Sequence, residues 1–245
     1  MYIPDYIEYA LPATEKQFIE MLPVGTCVKV KDNLVFGINW HDVRSYRVDL
    51  DLSMTSKQKY GWDSYYRSES RDIMFSGDVT SASGVNGATE LFYIEKQPKE
   101  AFVAQVNYFN YNEEKPVDYK IVVASEKPVN FKHNYVVDPK NVKLVVKSTI
   151  STKQKIVGMV VPTTTENRVY FIDTSFGNMI SSNSGDKVQK ARNFLFKKFE
   201  HPISLNDVLS MAGAKIVNEI PEKGEFIDLS PEKLEKDTIL KLLVE

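Results

Sequence analysis

Between Cys27 and Ser175 the chain repeats one pattern: short runs rich in Val, Ile, Tyr and Phe, each closed by Gly, Asn, Asp, Ser or Pro. Period-two alternation of this kind places successive side chains on opposite faces of a strand. The runs are Val28–Val30, Leu34–Trp40, Arg47–Met54, Ile73–Phe75, Leu91–Glu95, Phe102–Tyr108, Tyr119–Ala124, Val142–Thr149, Lys155–Val161 and Val169–Asp173. About ten short strands with no helix between them predict a mostly β chain, an antiparallel two-sheet β-sandwich. Leu91-Phe92-Tyr93-Ile94 is apolar on both faces, which suits a central strand buried on both sides.

The flanks read differently. Thr14-Glu15-Lys16-Gln17 has the form of a capping box, so residues 1–23 are expected to hold a short helix through Phe18, Met21 and Leu22, stopped by Pro23. After Ser182 the apolar positions Val188, Ala191, Leu195 and Phe199 recur at helical spacing. Ser204 with Asp207 caps a second helix that Gly213 closes, and Ser230-Pro231 introduces a third, to Leu243. The expected organisation is a helical segment over 1–23, a sandwich over 24–180 and a small helical C-terminal extension over 181–245. The apolar faces of the tail helices either cover the sandwich or dock a partner.

Composition excludes several classes. Lys plus Arg number 31 against 33 Asp plus Glu, a net charge of −2. A nucleic-acid-binding field needs a clear positive excess. One cysteine, Cys27, rules out an intramolecular disulfide or a multi-cysteine zinc site, and reads as a small buried hydrophobe. The three histidines, His41, His133 and His201, are far apart. Asp5 stands where a signal peptide wants Lys or Arg, and no run approaches the roughly 18 apolar residues a membrane span needs. A cytoplasmic protein with no nucleic acid and no membrane insertion is expected.

The chemistry concentrates in Arg47-Val48-Asp49-Leu50-Asp51-Leu52-Ser53. On a strand, Val48, Leu50 and Leu52 point to the core, while Asp49, Asp51 and Ser53 share the other face. Two carboxylates at that spacing lie about 7 Å apart and repel. Either a hard cation such as calcium lies between them, or they form a wet outer face neutralised by Arg44, Arg47 or solvent. An EF-hand is excluded, because the sixth residue from Asp49 is Met54 and not glycine. A second stretch runs from Ile73 through the corner Ser76-Gly77-Asp78 and a small-residue loop to Glu90. Asp78, Asn86 and Glu90 offer further oxygens there, or the loop is a plain connection turned by Gly77 and Gly87.

Together these segments resemble the TerD-like family, the tellurium-resistance and general-stress proteins, over about residues 24–180. The resemblance rests on Gly25–Val30, Gly37-Ile38-Asn39-Trp40, Val48-Asp49-Leu50-Asp51-Leu52, Ser76-Gly77-Asp78 and Asn86-Gly87-Ala88-Thr89-Glu90. It extends through Phe102–Val106 to a closing hairpin at Lys155–Met159 and Val169–Ile172. It implies a non-enzymatic, calcium-binding stress-response or interaction module with Asp49, Asp51, Asp78 and Glu90 as metal ligands. The family's run of acids before the last position is replaced here by Asn86-Gly87-Ala88-Thr89, which implies weaker calcium binding or one retained site.

No Gly-x-Gly-x-x-Gly, P-loop or Gly-x-Ser-x-Gly elbow occurs, and no catalytic residue is assigned. His41-Asp42 reads as a solvent-facing loop pair. Trp62, Tyr65 and Tyr66, in the connection Tyr60–Arg67, either bind a sugar ring or a protein partner, or fold down as a lid. Two alternatives stand beside the TerD-like reading. One is a metal-free structural sandwich of phage or mobile-element type, the other a carboxylate-based hydrolase.

Overall fold

The computed structural model describes residues 1–12, 17–95, 100–176, 190, 193–194, 197 and 203–244. The first strands are β1 (Ile7–Glu8), β2 (Phe18–Ile19), β3 (Leu22–Pro23), β4 (Cys27–Val30) and β5 (Leu34–Trp40). Next come β6 (Leu50–Thr55), β7 (Lys59–Gly61), β8 (Ile73–Phe75), β9 (Ala88–Ile94) and β10 (Phe102–Tyr108). The last are β11 (Val117–Ser125), β12 (Val142–Ile150), β13 (Gln154–Pro162) and β14 (Asn167–Phe176), followed by helices α1 (Leu205–Met211) and α2 (Lys236–Val244).

The strands form a seven-stranded sheet, β1-β4-β14-β13-β10-β6-β7, and a five-stranded sheet, β12-β11-β5-β9-β8. Every pairing between these strands is antiparallel. The inner faces meet in one core. Leu50, Leu52, Val106 and Phe171 come from the larger sheet, and Phe36, Trp40, Phe92 and Ile121 from the smaller. This is the antiparallel sandwich that the alternation predicts, and Leu91–Ile94 is buried throughout, with β5 and β8 on either side.

The outer face of the smaller sheet carries its own apolar layer, where Phe131, Tyr135 and Val137 pack on Val35, Leu91 and Tyr93. That strap, residues 126–141, is pinned by the Glu126 carboxylate. It accepts from the Tyr135 hydroxyl at 2.6 Å and the Asn141 amide at 2.9 Å. The C-terminal extension packs on the sandwich: Leu205, Leu209, Leu229, Leu234 and Ile239 join the main core beside Ile3, Ile7 and Tyr9. Tyr9 donates its hydroxyl to the Leu229 carbonyl at 2.6 Å, and its own carbonyl accepts the Leu205 N–H at 2.8 Å.

Three local expectations need correcting. Residues 18–23 form the hairpin β2–β3 and not a helix. Its turn uses Glu20 at φ 54° and is held by Lys147, whose N–H donates to the Glu20 carboxylate at 3.1 Å. The capping box lies partly at residues 13–16, outside the described residues. The final helix starts at Lys236, not at Pro231: residues 231–233 form a turn closed by the Lys233 N–H on the Ser230 carbonyl at 3.0 Å. The outer face of Asp49, Asp51 and Ser53 is not wet: these residues are 3%, 3% and 0% exposed. The capping box of α1 is as expected, Ser204 and Asp207 bonding reciprocally, with Gly213 just beyond the helix at φ 88°. The helix expected over 184–199 falls largely outside the described residues; Lys190, Asn193, Phe194 and Lys197, which are described, are helical. Among the described residues no helix is long and apolar enough to cross a membrane.

Candidate metal centre

Asp51 lies on β6 with its backbone register facing Asn107 of β10, and Asp49 immediately precedes the strand. The Asp49 carbonyl accepts the Phe109 N–H at 2.9 Å and its N–H donates to the Asn110 side chain at 3.0 Å, so the backbone is fixed at both ends. Asp78 arrives from the other sheet. After β8 the chain turns at Gly77, with φ 113°, a conformation that favours glycine. Ser76 anchors this corner: its hydroxyl accepts the Leu91 N–H at 3.0 Å and its N–H donates to the Leu91 carbonyl at 2.9 Å. The corner brings Asp78 to the aspartates of β6, and one oxygen from each of Asp49, Asp51 and Asp78 lies within 4.8 Å of the others.

Three of the four carboxylates named from the sequence are thus brought together. Glu90 sits beside them in a different role. It points into the sandwich, fully buried, and its two oxygens accept the N–H groups of Leu52 at 2.7 Å and Val79 at 2.8 Å. Asp42 likewise serves the backbone, accepting from Val48 at 2.9 Å and Ala82 at 3.1 Å, while His41 is exposed.

The electrostatics of the trio are unfavourable as they stand. Burial, then the Asp49 and Asp78 charges, push Asp51 up to about 8, against a partial pull from Lys59. Asp49 is raised by burial and by Asp78, opposed by Arg47 at 3.2 Å, and Asp78 is raised by burial, opposed by His133. Asp49 Oδ1, Asp51 Oδ2 and Asp78 Oδ1 are buried with no hydrogen-bond partner among the described residues. Ser53 Oγ and both polar side-chain atoms of Asn107 are in the same condition. Buried polar atoms are rarely left so.

The segment Tyr60–Arg67 explains why the face is dry. Gly61 N–H donates to the Tyr65 carbonyl at 3.0 Å, closing the segment over β6 and β7, and Tyr60 is buried in the core. The Lys59 ammonium bonds Asp63 at 2.6 Å and lies 4.9 Å over the Trp62 ring, which meets Phe109 edge-on at 5.8 Å. Tyr66 packs on Phe75 at 5.3 Å. Of the three aromatic residues named from the sequence, Trp62 is half-buried, while Tyr65 and Tyr66 are 60% and 44% exposed. The segment is a lid whose rim still offers two tyrosines.

Comparison with known proteins leaves the chemistry to the site itself. No family model matches the chain, and no curated protein matches it. A crystal structure of the unknown function protein SAV2460 aligns at 12% identity and a TM-score of 0.42, over 60% of this chain and 92% of that one.

Elsewhere a cleft of about 770 Å³ opens between β2, β11 and β12, lined by Phe18, Trp40, Tyr119 and Lys155 among others. Its buried cation is already engaged: Lys155 donates to Ser148 at 3.1 Å and the Thr149 carbonyl at 2.8 Å, and pairs with Asp173 at 2.6 Å. Cys27 is buried and its thiol is pushed up to about 12 by burial, so it is not poised as a nucleophile.

Proposed function

We propose that this chain is a non-enzymatic, calcium-binding β-sandwich of the TerD-like kind, a stress-response or interaction module of the cytoplasm that acts through a protein partner. The observation that carries the reading is the aspartate trio: the buried carboxylates of Asp49 and Asp51 and the half-buried one of Asp78 lie within 4.8 Å, each with a buried oxygen that has no hydrogen-bond partner among the described residues. Like charges so placed either take up protons or hold a cation. An all-oxygen set suits a hard ion, and calcium accepts six to eight oxygens with loose geometry, where magnesium wants a tight octahedron and keeps its waters. Glu90 is then the wall behind the site, holding the Val79 backbone beside Asp78. The exposed rings of Tyr65 and Tyr66 are the natural partner contacts at its rim.

The metal-free structural reading has one observation in its favour. With Asp51 raised to about 8, the trio can also lower its charge by protonation near neutral pH. A carboxylate hydrolase is less well supported, since it needs acids free to act across a substrate cleft. The cleft described above is lined by Glu20, Asp42, Asp118 and Asp173, but these are held by the Lys147 N–H, the Val48 and Ala82 N–H groups, the Thr149 hydroxyl and the Lys155 ammonium in turn.

The deciding experiment is calcium titration by calorimetry with thermal melting. Calcium should raise the melting temperature more than magnesium does. Asp49→Asn should remove most of that rise, and Asp42→Asn, whose amide oxygen still accepts from Val48 and Ala82, should keep it. Equal responses to the two metals would leave the structural reading in its place.

A further inference from the structure

The most anomalous side chain in the sandwich is not an acid. Asn107, the last residue but one of β10, is 0% exposed, and neither its Oδ1 nor its Nδ2 has a hydrogen-bond partner among the described residues. A buried amide left unpaired is costly, so its retention here needs a compensating partner. The register places it directly across from Asp51, and two flanking pairs confirm the alignment: Tyr108 faces Leu50 and Val106 faces Leu52. Directly opposed residues of an antiparallel pair share a face, with Cβ atoms about 4.5–5.5 Å apart. Leu50, Leu52, Val106 and Tyr108 point into the core, so Asp51 and Asn107 stand together on the other side. The third strand closes off the usual alternative. Gln154 of β13, opposite Asn107 on its far flank, gives its amide to Gln105 at 2.7 Å.

We propose that Asn107 is a neutral oxygen ligand of the cation held by Asp49, Asp51 and Asp78. This rests on the cation reading above and extends it from the three acids to a residue that no acidic motif contains. The carboxamide oxygen adds a fourth protein ligand on the β10 side of Asp51 without adding charge. A further neutral oxygen favours the larger, higher-coordinate calcium ion over magnesium. Ser53, two residues along β6 from Asp51 and also unpartnered, faces Gln105 and not Asn107, and so lies one step further from the trio.

The test uses the full chain as wild type, Asn107→Leu and Asn107→Asp, with calcium chloride as the titrant and melting followed in chelator and in calcium. Asn107→Leu should lose roughly 10–100-fold in calcium affinity, the range seen when a group supporting a metal shell is removed. In chelator it should melt no lower than wild type, because an unpaired amide has been replaced by an apolar side chain of similar size. Asn107→Asp should bind calcium more tightly, while melting lower than wild type in chelator at pH 8, where a fourth charge joins the trio. A purely structural asparagine predicts the reverse for the leucine variant, with lower melting in chelator and unchanged affinity. If wild type shows no calcium response, the cation reading falls and this inference with it. If wild type binds calcium and both variants bind it equally well, Asn107 alone is removed from the shell.

Discussion

Glu90 of β9 accepts the backbone N–H of Leu52 of β6 through Oε2 at 2.7 Å, so a single buried carboxyl ties the two sheets together. Its other oxygen takes the Val79 N–H at 2.8 Å, and burial pushes its pKa well above the ordinary range. Glu90→Leu would strand one buried donor, the Leu52 N–H, and one half-buried donor, the Val79 N–H, at about 1–3 kcal/mol each. A chain of this size loses roughly 2–4 °C per kcal/mol, so the melting temperature should fall on the order of 10 °C. The fall should be the same in chelator and in calcium. A loss seen only in calcium would instead make Glu90 a ligand.

Asp51 sets the pH response. Its folded pKa of about 8 lies above the ordinary value of 3.8, so between these pH values the folded state binds more protons than the unfolded chain. Stability then decreases as pH rises through that window. In chelator, melting temperature should fall from pH 5 to pH 8. Calcium should flatten or reverse the slope, and Asp51→Asn should make it shallower without metal, leaving the part carried by Glu90, which is raised in the same direction. A chelator profile that rises between pH 5 and 8 would contradict this account.

Gly77 tests the corner that delivers Asp78. A Cβ built there would lie 2.0 Å from Cδ2 of His133, and the φ of 113° is itself unfavourable to side chains. Gly77→Ala should cost about 1–3 kcal/mol and weaken calcium binding, because the backbone of the corner must shift and the exposed His133 ring must swing away. Urea unfolding and calcium titration of the variant report the two effects separately. Stability lost at unchanged affinity would mean that the corner tolerates the shift.

Trp62 is a built-in reporter. Its ring lies under the Lys59 ammonium, whose charge also acts on Asp51. A divalent ion among the aspartates changes that balance, so calcium should alter tryptophan emission. Trp62→Phe should abolish the change. Trp40→Phe should keep it, since Trp40 is fully buried with its indole N–H on the Val48 carbonyl at 3.1 Å. A change that survives Trp62→Phe would place the response elsewhere.

Much of the sandwich is legible in the sequence because β-branched alternation reports directly on which residues share a strand face. Leu34–Trp40, Ile73–Phe75 and Phe102–Tyr108 are bounded as read. Alternation does not report what covers a face. Asp49 and Asp51 therefore read as wet or metal-bound, while the lid from Tyr60 to Arg67 that dries them is a matter of tertiary folding. The β2–β3 turn is hidden because it uses Glu20, a non-glycine residue, in the left-handed region. Asn107 gives no signal at all. Gln105 and Asn107 read as two ordinary polar positions alternating along β10, and only the pairing of β10 with β6 reveals that Asn107 faces Asp51.

The bond from Tyr9 to Leu229 spans 220 residues of chain. During synthesis, β1 can find its partner β4 early, but the segment that seals its outer flank is among the last to be made. Contacts of such long range are slow to form. Until they do, the seven-stranded sheet carries an unguarded border with free N–H and C=O groups. A nascent or truncated chain that stops short of Leu205, whose N–H donates to the Tyr9 carbonyl, would therefore be prone to stitch itself, edge to edge, onto another copy.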